Sequence, residues 1–208
     1  ISKSGRVEAP APHLYSPVGF LDDTWWHRTG WVIGAKTGSR WGSWASMARK
    51  APAAGKLLVV DGDTAYGFGR MGQYTAHGAH VGLGPVRYKL YATSITPDKA
   101  KPDKTGKAPS LWSVPTGLEA RGMVLAGKTL FVAGPPDFLG DAKNIEKDYT
   151  YFLKHSPEAL ARQDQAIAGK TGGLLLGVSA ADGNKVAEKK LQSPPVFDGM
   201  IAANGRLY

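Results

Sequence analysis

Two turn signals in residues 179–208, Asp182-Gly183-Asn184 and Asn204-Gly205, each sit between apolar runs. Asp, Asn and Gly tolerate the positive φ that tight hairpins demand. The connection between them, LQSPPVFDGM, is too rich in proline to form a helix. The stretch therefore reads as strand, turn, strand, connection, strand, turn, strand. The last strand is cut off at Tyr208, so this reading expects the chain to stop inside a repeating unit.

The same grammar runs through the chain. Residues 57–60 and 65–68 flank Asp61-Gly62-Asp63, a strong hairpin signal. The stretch 86–93, VRYKLYAT, alternates as a strand does, and 110–114, SLWSV, follows a Lys- and Pro-rich loop. That gives four strands between residues 56 and 114. The pattern recurs in 121–134, RGMVLAGKTLFVAG, turning at Gly127-Lys128, and in 172–191, GGLLLGVSAADGNKVAEKKL. Residues 196–208 open a third group. An insertion at 137–171 separates the strand pairs of the second group. Within it Ser156 is an N-cap, Pro157 suits the first helical position, and a helix is expected up to Gly169. Pro135-Pro136-Asp137 reads as a rigid exit from a strand.

Repeated four-stranded antiparallel units lead to an all-β fold: consecutive four-stranded blades of a β-propeller, a partial ring, with one short helix in an insertion. The expected divisions are an aromatic-rich lead-in with blade remnants (1–50), a first full blade (51–115), a second blade with the helical insertion near 137–171 (116–192), and the start of a further, truncated blade (193–208). A propeller closes its ring with about four to eight blades. The expected partners are therefore the remainder of its own propeller or other protein chains.

The 27 glycines and 14 prolines in 208 residues agree with many turns, and a hydrophobic content of 42% excludes wholesale disorder. There is no cysteine, which excludes disulfides, thiolate metal sites and a cysteine nucleophile. No run approaches the roughly 18 apolar residues of a membrane helix. A start at Ile1 with no leader-like segment suggests a processed or truncated chain. The net charge of +9 admits a basic face for nucleic acid, but the lysines are dispersed and their one concentration (Lys99, Lys101, Lys104, Lys107) lies in a loop. A solvated surface is the favoured reading.

The segment 173–208 is similar to the PQQ-like β-propeller repeat. In that repeat a strand ends in an Ala-Leu-Asp-like turn and is followed by Thr-Gly-Lys, a Trp strand and a Gly-Leu-Tyr strand. The turn here is Ala181-Asp182-Gly183-Asn184-Lys185, and the usual Trp is replaced in the neighbourhood of Ala187, Glu188 and Lys189. Residues 13–31, 55–70, 121–137 and 193–208 together resemble the C-terminal part of large secreted PQQ-like propeller proteins of planctomycete-type bacteria. The resemblance implies a periplasmic or extracellular location. It implies either a scaffold or an enzyme, because such repeats serve both.

Four kinds of site are weighed against blander uses of the same residues. Quinoprotein dehydrogenases stack their quinone between a tryptophan and a vicinal disulfide, beside Ca²⁺ and a catalytic Asp. Without cysteine that disulfide cannot form, and Asp22, Asp23, Trp25 and Trp26 remain as a carboxylate-plus-stack imitation. Their other use is packing between blades and capping a turn. His77 and His80, three residues apart, could both reach one metal, yet structural zinc takes four ligands and no further cluster is near in sequence. Trp31, Trp41 and Trp44 could stack sugar rings or bases, and core packing is the competing use. There is no GxSxG elbow and no HExxH, and no catalytic residue is assigned. No resident cofactor is expected. The favoured reading is a non-catalytic binding or assembly scaffold, the alternatives being a PQQ- and calcium-dependent oxidoreductase fragment and a carbohydrate-binding propeller.

Overall fold

The computed structural model describes residues 13–15, 31–34, 53–69, 89–95, 110–139 and 155–208. Its elements are β1 (His13–Tyr15), β2 (Trp31–Gly34), β3 (Ala53–Gly55), β4 (Leu57–Asp61), β5 (Thr64–Gly69), β6 (Lys89–Ser94), β7 (Ser110–Pro115), β8 (Gly122–Ala126), β9 (Thr129–Gly134), α1 (Pro157–Ile167), β10 (Gly173–Ser179), β11 (Lys185–Leu191), β12 (Ala202–Ala203) and β13 (Arg206–Leu207). Strands predominate, every pairing is antiparallel, and neighbours in sequence are neighbours in each sheet. The first sheet is β1-β2-β3, the second β4-β5-β6-β7, the third β8-β9-β10-β11, and β12-β13 forms a separate hairpin.

The two four-stranded sheets and the helix fall where the sequence places them. Residue β3 to β4 is nearly continuous: the chain passes from the first sheet to the second across Lys56, whose N–H donates to the Phe68 carbonyl at 2.8 Å. The first strands of successive units are neighbours, β4 beside β8 and β8 beside β12.

Alternation decides what is buried, because successive side chains leave a strand on opposite faces. On one face of the second sheet, Leu57, Phe68, Leu90 and Val114 form one cross-strand row and Val59, Tyr66, Ala92 and Trp112 the next. The third sheet answers with Met123, Leu125, Leu130, Val132, Leu176 and Val178, and these two faces make the main core. The opposite face of the second sheet, through Ala65, Tyr91 and Leu58, packs on Ile33 and Ala53 of the first sheet. The second sheet is thus covered on both sides.

Trp112 ties the two large sheets together. Its indole N–H donates to the Ala180 carbonyl at 2.9 Å, 68 residues away. Its ring lies against Gly183, where φ is +77° and an added Cβ would come 2.6 Å from Trp112 Cε3. The turn 180–184 is held by its own side chains: Asp182 Oδ1 accepts from the Asn184 N–H at 3.1 Å and Oδ2 from Asn184 Nδ2 at 2.8 Å.

Helix α1 begins at Ser156, whose hydroxyl accepts from the Ala159 N–H, with Pro157 at the first helical position. It docks on the strand exit at 135–138. The buried Gln163 Oε1 accepts from the Phe138 N–H at 2.7 Å, and its Nε2 donates to the Pro136 carbonyl at 3.3 Å. The Arg162 guanidinium stacks 3.8 Å from the Phe138 ring centroid. Pro136 bridges Leu118, so the Pro-Pro-Asp exit is anchored.

Candidate binding surface

The second and third sheets repeat one another residue by residue. Val59–Tyr66–Ala92–Trp112 corresponds to Val124–Phe131–Gly177–Ala187, counted from the turn of each first hairpin. In both sheets a register shift follows at the same place, between Ala92 and Thr93 and between Gly177 and Val178. The β12-β13 hairpin continues the pattern. Ala203 pairs with Arg206 as Ala126 does with Thr129, and Ile201 and Tyr208 exchange two backbone hydrogen bonds of 3.0 and 2.8 Å. Its turn needs Asn204 and Gly205, which adopt φ of +50° and +72°.

This correspondence identifies the surface that differs. The face of the second sheet that receives the third carries Leu57, Phe68, Leu90, Val114 and Trp112. The corresponding face of the third sheet carries Gly122, Ala133, Leu175, Lys189 and Ala187. Met200 fills the space above Gly122, where an added Cβ would lie 2.5 Å from its Cγ. A groove of about 320 Å³ remains between this face and the hairpin, lined by Ala126, Phe131, Ala202, Asn204, Arg206 and Leu207. Apolar side chains stand exposed around it: Ile201 and Tyr208 on the hairpin ends, Val196 and Phe197 on the preceding loop. The Lys56 ammonium lies 5.8 Å from the centroid of the Phe197 ring.

The rim is cationic. Strand β11 exposes Lys189 and Lys190, and β13 exposes Arg206. Lys185 is engaged by Glu188 at 2.7 Å, and this hydrogen bond holds the Glu188 carboxyl below its ordinary range. Asp182 is likewise lowered, first by the Asn184 N–H and then by the Ser179 hydroxyl, and Glu158 by the Ser156 hydroxyl at the helix start. Burial raises the Tyr66 phenol, and the nearby Asp61 charge adds to it. Each shift has a local cause in a turn, a cap, an ion pair or the core.

Of the residues singled out from the sequence, Trp31 lies in β2. Asp22, Asp23, Trp25, Trp26, Trp41, Trp44, His77 and His80 lie outside the described residues. Among the described residues no three His, Asp or Glu side chains gather as a metal site, and no helix is long and apolar enough to cross a membrane. The sequence reading passed over Phe131, Leu207 and Lys189. Their signal was available: each falls at a repeat position where the preceding unit carries a residue of another size or charge. The chain matches no protein-family model, and no curated protein matches it.

Proposed function

We propose that this chain is an arc of propeller blades whose function is binding or assembly, with loops and an open flank presented from a rigid stack of sheets. The observation that carries the reading is the register repeat with its shared bulge, together with the adjacency of β4, β8 and β12. First strands that neighbour one another set successive sheets around a common axis, which is how blades meet. Rigid sheets that present variable edges suit recognition. The PQQ-like resemblance adds an envelope or extracellular setting.

The test has a structural and a chemical arm. Spin labels at Asp61, Lys128 and Asn204, one per unit turn, are expected to give two similar short distances and a long one shorter than their sum, as on an arc. Collinear distances overturn the blade reading. Incubation with PQQ, Ca²⁺, an alcohol or sugar and a dye acceptor is expected to leave the dye oxidised. Sustained reduction replaces the scaffold with a quinoprotein-like oxidoreductase.

A further inference from the structure

We propose that the free edge of β13 accepts an extended segment of a separate protein chain, apolar at alternate positions and acidic at its ends. The inference rests on the stacked-sheet reading above and adds the kind of partner.

Hydrogen-bond alternation locates the edge. In an antiparallel pair, residues that exchange both bonds alternate with residues whose N–H and C=O face away. Ile201 and Tyr208 exchange both bonds, so the N–H and C=O of Leu207 point to the opposite edge. The corresponding residues of the other two units are Ala65 and Leu130, and there the edge is taken, by Thr93 of β6 and Val178 of β10. Among the described residues no strand pairs with β13 on that side.

The side chains define what fits. Leu207 lines the groove against Phe131. A strand added to β13 places the residue opposite Leu207, and those two positions away, over Gly177 and Leu175, as Val178 lies over the second sheet. Those alternate positions must be apolar. The Gly177 and Ala187 positions leave room that Ala92 and Trp112 fill in the preceding sheet, so medium-sized side chains suit them. Beyond this strand stand Lys189 and Lys190 on β11, with Arg206 on β13 itself. Glu188 is engaged by Lys185, so the rim offers net positive charge to an incoming carboxylate. An extended peptide satisfies both demands; main-chain bonds supply affinity and the alternate side chains specificity.

The probe is a synthetic nine-residue peptide that alternates Val and Thr between terminal aspartates. Amide exchange of the whole chain is read with and without it. Protection of the Leu207 amide is expected, with exchange in β9 and β10 unchanged. Leu207→Pro removes only an N–H that β12 does not use, and is expected to weaken binding about tenfold. Lys189→Glu is expected to weaken the aspartate-ended peptide and to strengthen a lysine-ended one. Absence of protection at Leu207, protection on β11 alone, or equal binding of the two peptides overturns the proposal. Displacement of the peptide by a single-stranded oligonucleotide assigns the cationic rim to nucleic acid and also overturns it. The spin-label distances are independent of this assay, so an arc without Leu207 protection removes the strand acceptor and leaves the blade reading standing.

Discussion

Trp112 does two separable things. Its ring fills the space between the Ala180–Gly183 turn and Tyr66, whose ring centroid is 6.1 Å away, and its N–H reaches the Ala180 carbonyl. Truncation to alanine removes both, and Trp112→Ala is expected to cost about 3–5 kcal/mol in chemical denaturation. Trp112→Phe keeps most of the ring and leaves a carbonyl without its donor, at about 1 kcal/mol plus some packing loss. If the two variants are equally destabilised, the hydrogen bond is the whole effect and the packing account fails. Gly183→Ala tests the same contact from the other side. It needs a left-handed φ and 2.6 Å of space that the indole occupies, so it should destabilise by more than about 1 kcal/mol. A shift of the tryptophan emission in that variant would report the displaced ring.

At the scale of elements, the helix insertion is attached through one buried amide. Gln163 is 6% exposed and satisfies two backbone groups of the strand exit. Gln163→Leu matches its size and leaves the Phe138 N–H unpaired, a loss of about 1–3 kcal/mol. The expected result is faster exchange in α1 at unchanged protection of β5 and β9, because the helix borders the sheets and does not build their core. Acid should act on the same element. Glu158 has its folded carboxyl pKa lowered by Ser156, and Asp182 has its own lowered in the β10-β11 turn. A lowered folded pKa contributes stability above the unfolded value, and that contribution is lost as pH falls through the folded one. Unfolding midpoints should therefore decline below the ordinary carboxylate range, and Asp182→Asn should flatten its share of that decline. A variant with the same acid limb as the parent would remove the turn from the account.

These elements were legible to different degrees. The α1 boundaries followed from Ser156 and Pro157, since caps are local chemistry. The β4-β5, β8-β9 and β12-β13 hairpins followed from glycine at the turns. What no local pattern announces is which strand Trp112 would answer across 68 residues, or that β3 would run on into β4 while belonging to another sheet. Phe131 and Lys189 escaped for a related reason. Each looks ordinary in its own strand, and becomes informative only when set beside Tyr66 and Val114 in the repeat.

For the whole molecule, the same comparison predicts an uneven stack. The second sheet is covered on both faces, and its junction with the third holds the large core side chains. The third sheet faces the hairpin with glycine, alanine and lysine at the positions where the second carries leucine, phenylalanine, tryptophan and valine. Strand β11 is exposed along nearly its whole length, and it has no indole at Ala187 to reach a following turn. Local opening free energy tracks buried apolar contact, so protection should peak in β5, β6, β9 and β10 and fall through β11 to the β12-β13 hairpin. Native-state hydrogen exchange at increasing denaturant measures this directly. The double change Ala187→Trp and Lys189→Val, restoring the residues of the preceding unit, should not raise hairpin protection by itself, because the turn that would receive the indole belongs to a strand not present in the described structure. It should instead increase protection only when the edge peptide is bound. A gain in the unbound chain would mean that the hairpin already closes the stack, and that the flank beside Phe131 is finished and not open.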